Sequence, residues 1–449
     1  MSLQKVTVSH LPVLSRPFLE TSDPLLSSLL TQEGTRQRSG LEMIASENFT
    51  YPSVLECLGS LATNKYSEGL PGRRYYGGNT YIDQIETLCQ TRALDVFGLN
   101  PDEWGVNVQP YSGSIANLAA YNAILSPHDR IMGLGLPSGG HLTHGFYTKK
   151  KKVSATSVFY ESLAYEVGED GYIDYDALER DAKKFLPKLI ICGYSAYPRD
   201  IDYPRFRAIA NAVGAYLLCD MSHFSGFIAA GLLESPFPHC DFVTTTTHKT
   251  LRGPRSAMIF GRSEYMDAIN SSVFPGIQGG PHNHQIAGVA TALLQASKPE
   301  FRVYMEKVRE NARVLSEALK DRGYEIMTGG TDNHLILVNL RLLGITGSKV
   351  ERLCDEVEIT LNKNAVPGDT SALSPGGIRI GTPALTTLGM GPEEMKTIAG
   401  LLHQLITLGC AIQKTSGKKM VDFIKEMERH RDWLNARKVE VHALASRFT

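Results

Sequence analysis

A chain of 449 residues is too long for one small core, so two domains are expected. With 42% hydrophobic and 21% charged residues it reads as a soluble globular protein, and a net charge of −1 argues against a molecule-wide attraction for nucleic acid. No apolar run approaches the ~20 residues needed to span a bilayer, and the seven cysteines form no C-x-x-C pair or zinc spacing, which suggests free thiols in a reducing, cytoplasmic compartment.

Residues 1–19 carry Lys5, Arg16, several hydroxyls and no acid, a pattern shared by organelle presequences and short arms. Residues 20–42 look helical, and LEMIASEN opens the ordered core. From about 100 to 262, short apolar runs alternate with helical stretches, which predicts a largely parallel sheet. KLIICGY (188–194) reads as a strand, a helix follows from Pro204, Gly214 ends it, and GAYLLCD (214–220) is the next strand. The Gly- and Pro-rich stretch 271–284 is expected to be loop, followed by helices over 285–297 and about 299–322. HLILVNL (334–340) reads as a strand of a second domain, and Pro392, with Glu393 and Glu394 behind it, opens a long helix. The expected division is a 1–42 arm, a 43–299 large domain and a 300–449 small α/β domain.

Two of these segments carry chemistry. The hydroxyl-rich strand TTTTHKT (244–250) leads into Lys249, and the preceding strand ends on Asp220. A lysine that forms a Schiff base and a carboxylate that keeps a pyridinium nitrogen protonated are what pyridoxal phosphate requires. Strand C-termini are also where open α/β sheets bind ligands. In YSGSIANLAAYNAIL (111–125), Ser112 or Ser114 caps a helix whose first N–H groups favour a phosphate. Gln278-Gly279-Gly280 could approach a phosphate by its backbone. Lys149–Lys152 read as a solvated basic run, with a weak RNA contact as the other reading. His282 and His284 lack the spacing of a helical metal pair, so packing is expected and no metal.

IASENF (44–49), NKYSEG (64–69), RRYYGG (73–78), QPYSGS (109–114), GGHLTHG (139–145), AYLLCDMSH (215–223), TTTTHKTLRGPR (244–255), QGGPHNH (278–284), NKNAVPGD (362–369) and GGIRIGTPALT (376–386) occur in this order. Together they make the chain resemble serine hydroxymethyltransferase over roughly 23–410. The resemblance implies the α/β, fold type I architecture of pyridoxal phosphate-dependent transferases, with a mainly parallel mixed sheet in the large domain. It implies pyridoxal 5'-phosphate as cofactor, tetrahydrofolate as co-substrate, and interconversion of L-serine and glycine.

It also implies roles for particular residues. Lys249 would bind the cofactor aldehyde, Asp220 the ring nitrogen, His141 the ring face, and His223 the region of the phenolic oxygen. Ser112, Gly113 and Ser114 would cradle the phosphate, while Tyr66, Gly279 and Gly280 would reach the phosphate of a neighbouring subunit. The active site would then lie at a homodimer interface, and His128 tilts the expectation toward a tetramer. Ser195, Thr246, His248 and Arg255 match positions around the cofactor. Arg379 would bind the substrate α-carboxylate with its planar fork, helped by Ser46 and Tyr76. Glu68 would be the acid–base carboxylate, and Leu136, Leu142 and Asn364 would face the folate.

The chain departs from the family pattern at Cys219, Ser222, Ile115 and Thr387-Leu388, the last where many relatives carry arginine. Two rivals are a folate-independent aldolase acting on threonine-like β-hydroxy amino acids and a binding protein built on a dead enzyme. The first has no need of Glu68 or the folate-facing positions; the second requires a missing catalytic residue, and none is missing.

Overall fold

Seven strands form the main sheet: β1 (Trp104–Asn107), β2 (Arg130–Leu134), β3 (Glu161–Tyr165), β4 (Leu189–Gly193), β5 (Tyr216–Asp220), β6 (Phe242–Thr246) and β7 (Ala257–Arg262). Their spatial order is β1-β7-β6-β5-β4-β2-β3. The pairs β6/β5, β5/β4, β4/β2 and β2/β3 are parallel, and β7 runs antiparallel to both β6 and β1. β4 and β6 are buried at every position, as expected where helices cover both faces. The expected α/β architecture with a mixed, mainly parallel sheet is therefore present. Described here from a computed structural model, the protein is covered over residues 18–369 and 374–448. The expectations for residues 1–17, including Lys5 and Arg16, lie outside the described residues.

The sheet's topology decides where the site falls. After β3 the chain crosses back to the far side of β2 to lay down β4, so the direction of winding reverses there. The loops leaving the C-terminal ends of β2, β5 and β6 carry Leu136–His144, Met221–His223 and Thr247–Arg255.

A second sheet, all antiparallel, has the order β8-β9-β11-β10, from Glu325–Ile326, Leu335–Asn339, Asn362–Asn364 (β10) and Gly377–Gly381 (β11). Its core includes Ile336, Val338, Ile378 and Ile380, and also Leu41 and Met43 from far upstream. Leu41–Glu42 pairs in parallel with Ile359–Thr360. The helix Pro299–Lys320 belongs to both cores: Phe301, Met305 and Val308 pack in the first, Leu315 and Leu319 in the second. Boundaries drawn at 42 and 299 cut through these contacts, and we propose two units that share this helix.

The 188–220 unit forms as its residues dictate. Asp202 accepts the Arg205 N–H at 2.9 Å, the helix covers Tyr203–Val213, and Gly214 closes it at φ +68°. The stretch 271–284 is a correction. A helix reaches Ser271, a distorted helical turn with a kink at Phe274 covers Ser272–Ile277, and the next helix already starts at Asn283. Pro275 and the glycines suggested loop, but buried Val273 and the Ser272 hydroxyl on the Ala119 carbonyl (2.8 Å) hold the turn to the sheet-covering helix Gly113–Ile124. Pro392–Ser416 is the one described helix long and apolar enough to cross a membrane; its Met395, Ile398, Leu402 and Leu405 pack in the second core.

Candidate active site

Asp220 ends β5 with 5% of its surface exposed. Four donors meet its carboxylate. Oδ1 accepts the Ser222 hydroxyl (2.6 Å) and the Ser222 N–H (3.1 Å); Oδ2 accepts Asn117 Nδ2 (2.8 Å) and faces His144 Nε2 at 3.1 Å. His144 Nδ1 takes the N–H of His141 at 3.3 Å, so Nε2 is assigned the proton it donates. Burial by itself would raise the Asp220 pKa. The hydrogen bond from His144 and the electrostatic pull of His144, His141 and Lys249 outweigh it and hold the carboxyl far below the usual range. The Ser222 departure is thus built into the cage: its hydroxyl also accepts the Thr246 N–H at 2.9 Å, joining β5 to the end of β6.

Lys249 follows that strand end. Its amine is buried and has no hydrogen-bonding or ion-pairing partner among the described residues. Burial lowers its pKa from 10.5 to about 8; Asp220 pulls the other way, while Arg379 and Arg255 reinforce the drop. Arg379, on β11, is likewise short of a carboxylate: Nη1 donates to the Ser195 carbonyl (2.7 Å) and Nε to Asn362 Oδ1 (3.0 Å). Burial brings even its pKa down to about 10.

His141 lies in the loop after β2. Its Nδ1 accepts the Thr143 hydroxyl (2.7 Å) and the Thr143 N–H (3.2 Å), leaving Nε2 protonated and the ring neutral. Its pKa falls to about 4, chiefly through burial. His223 is buried, with Nδ1 3.4 Å from His334 Nε2 in stacked rings. Ser46, His248 and Arg255 line a cavity of about 330 Å³ beside this centre. Burial first, then Lys249 and Arg255, lowers the His248 pKa to about 3.

The helix Gly113–Ile124 starts at Ser112, whose hydroxyl makes no capping bond; Ser112 and Ser114 are both exposed. A Cβ on Gly113 would come within 2.6 Å of Thr246 Cγ2, so only glycine brings this helix start against β6. Leu136 and Leu142 flank the same β2 loop, Leu142 exposed, and Asn364 is on β10 with Nδ2 on the Ala365 carbonyl.

Tyr66, Glu68 and Tyr76 form a separate group. Tyr66 and Tyr76 meet edge to face, Tyr66 lies against Gly280, and Glu68 Oε1 lies beside Gly279. Among the described residues no hydrogen bond or ion pair joins this group to Lys249, Asp220 or Arg379.

Reading the sequence missed Asn117, Thr143, His144 and His334. Asn117 had a signal, being a polar residue three places after Ser114 on the stripe of buried Ala116, Ala119 and Ala120. His144 sat three residues after His141 in a quoted motif. The Lys249 centre fits the pyridoxal phosphate expected from the sequence: a buried amine and helix-start serine hydroxyls that have no partner among the described residues, a fully ionised carboxylate, and a cradle that a Cβ would fill.

A family model described as serine hydroxymethyltransferase matches residues 19–402. The chain is 56% identical to serine hydroxymethyltransferase 4 of Arabidopsis thaliana, over 96% of this chain and 95% of that protein. It is 53% identical to the cytosolic serine hydroxymethyltransferase of Oryctolagus cuniculus, over 98% and 95%. It is 54% identical to that of Encephalitozoon cuniculi, also named cytosolic, over 90% and 89%. The order of the motifs, the cage around Asp220 and this identity along nearly the whole length lead to one conclusion: the chain belongs to the serine hydroxymethyltransferase family.

Proposed function

We infer that the protein converts L-serine and tetrahydrofolate reversibly to glycine and 5,10-methylenetetrahydrofolate, with pyridoxal 5'-phosphate as cofactor. The observation that carries this is the partnerless buried amine of Lys249 beside an ionised Asp220 and an Arg379 that lacks a carboxylate. Bound there, the cofactor would supply an electron sink for the pair left when Cα–Cβ breaks.

The chain's own residues supply the rest. With its pKa near 8, Lys249 keeps roughly a tenth of its amine neutral and nucleophilic at pH 7. Asp220, held ionised by four donors, would keep a proton on the ring nitrogen. His141 would offer a neutral flat ring for stacking, and His223 a neighbour for the phenolic oxygen. Ser112, Gly113 and Ser114 would hold the phosphate, with Ser195, Thr246, His248 and Arg255 around the cofactor. Arg379, with Ser46 and Tyr76, would fix the α-carboxylate so that the breaking bond stands perpendicular to the ring. Glu68 would move the proton of the serine hydroxyl, and Leu136, Leu142 and Asn364 would line the folate side.

The absence, among the described residues, of any hydrogen bond or ion pair between the Tyr66–Glu68–Tyr76–Gly279–Gly280 group and Lys249 is compatible with a homodimer in which each chain completes the other's site, with a tetramer as a larger assembly. The cytosolic names of two relatives favour a cytoplasmic location, and no nucleic-acid or membrane partner is proposed.

The test is serine cleavage with and without tetrahydrofolate, in the wild type and in Glu68→Gln. Wild-type cleavage should require folate, and the variant should retain cofactor while losing roughly 100-fold or more in rate. Folate-independent cleavage of threonine-like substrates, unaffected by Glu68→Gln, would favour the aldolase.

A further inference from the structure

The segment 48–51 grips the Lys249 turn residue by residue. Asn48 Nδ2 donates to the Lys249 carbonyl at 3.2 Å. The Phe49 carbonyl accepts Arg252 Nε at 2.7 Å, and the Thr50 hydroxyl donates to the Arg252 carbonyl at 3.0 Å. The Tyr51 ring lies 4.1 Å below the Arg252 guanidinium, with the Tyr304 ring 5.6 Å away.

What is gripped is a turn under strain. Arg252 has φ +63°, a left-handed conformation that side chains rarely adopt. In it, the Arg252 N–H reaches the Lys249 carbonyl (3.0 Å) and the Gly253 N–H reaches the Thr247 carbonyl (2.6 Å). The main chain of Lys249 is set by a conformation that the turn would not hold alone.

The grip continues into the second unit. Thr387 Oγ1 donates to Asn48 Oδ1 (2.8 Å) and lies 3.1 Å from Tyr304 OH, which accepts Asn48 Nδ2 (2.9 Å) and donates to the Pro383 carbonyl (3.2 Å). Pro383 follows Arg379 by four residues, and Asn48 follows Ser46 by two.

We propose that Arg252 is a positioning residue: its guanidinium, held by Phe49, Tyr51 and Tyr304, keeps the left-handed turn that presents Lys249, and Asn48 ties that turn to Thr387. This rests on Lys249 being the cofactor-binding lysine. The residues assigned to the substrate carboxylate and the turn that carries the nucleophile thereby share one rigid connection.

Arg252→Ala keeps the strain and removes the clamp, whereas Arg252→Gly removes the clamp but makes the left-handed conformation accessible. Covalent capture of pyridoxal 5'-phosphate, trapped with borohydride and located by peptide mass, should slow roughly tenfold in Arg252→Ala. Arg252→Gly should recover at least half of that loss on a logarithmic scale. A glycine variant no faster than alanine, or an alanine variant at the wild-type rate, would overturn the proposal.

Hydrogen–deuterium exchange on cofactor-free protein gives a second reading. The amides of Arg252 and Gly253 should exchange faster in Arg252→Ala, Asn48→Ala and Thr387→Val, and unchanged exchange in these variants overturns the clamp. If the wild type captures nothing at Lys249, the cofactor reading falls, and the exchange data still decide the clamp.

Discussion

Replacing Lys249 by methionine should make the cofactor-free protein more stable. The lysine is 9% exposed, and its pKa falls from 10.5 to about 8, first through burial. Holding it charged at pH 7 therefore costs about 3 kcal/mol relative to the unfolded chain. Methionine has a similar length and no charge. The substitution also removes one positive neighbour from Asp220, but that carboxylate keeps its four donors. The expected net gain is about 1–3 kcal/mol at pH 7. The sign with pH follows from proton binding. Between about pH 8 and 10.5 the unfolded chain holds the lysine proton and the folded chain has released it, so wild-type stability rises through that window. The advantage of Lys249→Met is thus full below pH 8 and fades toward pH 10.5. Thermal midpoints of both proteins, cofactor-free and at equal concentration, at pH 7 and pH 10, measure it. A Met variant that melts lower at pH 7, or one whose advantage is unchanged at pH 10, refutes the reasoning.

Asp220→Asn should retain the fold yet weaken cofactor binding and slow turnover by roughly 100-fold, because the four donors then face a neutral group; cofactor affinity and kcat check it. The depressed Asp220 pKa also stabilises the folded state above the ordinary carboxylate range near 3.9, a contribution lost as pH falls below it. The acid-unfolding curve of Asp220→Asn should accordingly be flatter than that of the wild type. Arg379→Lys keeps the charge but not the fork, and should raise KM for serine by roughly tenfold or more, read from initial rates; an unchanged KM would remove Arg379 from the carboxylate site.

The elements that pack by simple rules were legible in the sequence. KLIICGY, the helix opened by Pro204 and closed by Gly214, and GAYLLCD each follow from local burial and turn chemistry, and they place Asp220 at a strand end. The residues that tune Asp220 were harder to read. Asn117, His144 and Ser222 converge from three separate segments, and only the strand order β6-β5-β4-β2, with the helix Gly113–Ile124 laid against the sheet, brings them together. The stretch 271–284 misled because Pro and Gly mark local preference, whereas Val273 and Ser272 are held by contacts to a helix about 150 residues earlier. Motif order singled out Tyr66, Glu68 and Tyr76 as well as Lys249, but the contacts of Tyr66 with Gly280 and of Glu68 with Gly279 emerge only from the structure.

The helix Pro299–Lys320 has a consequence for anyone who would divide the molecule. Its first turns supply Phe301, Met305 and Val308 to one core and its last turns supply Leu315 and Leu319 to the other. A gene cut before it strips the upstream fragment of Phe301, Met305 and Val308, and a cut after it strips the downstream fragment of Leu315, Ala318 and Leu319. Leu41 and Met43 bind the two fragments further, because the upstream piece carries residues that finish the downstream core. Each fragment would lack part of its own core, so expression as two halves is expected to succeed only when both are made together and interlock.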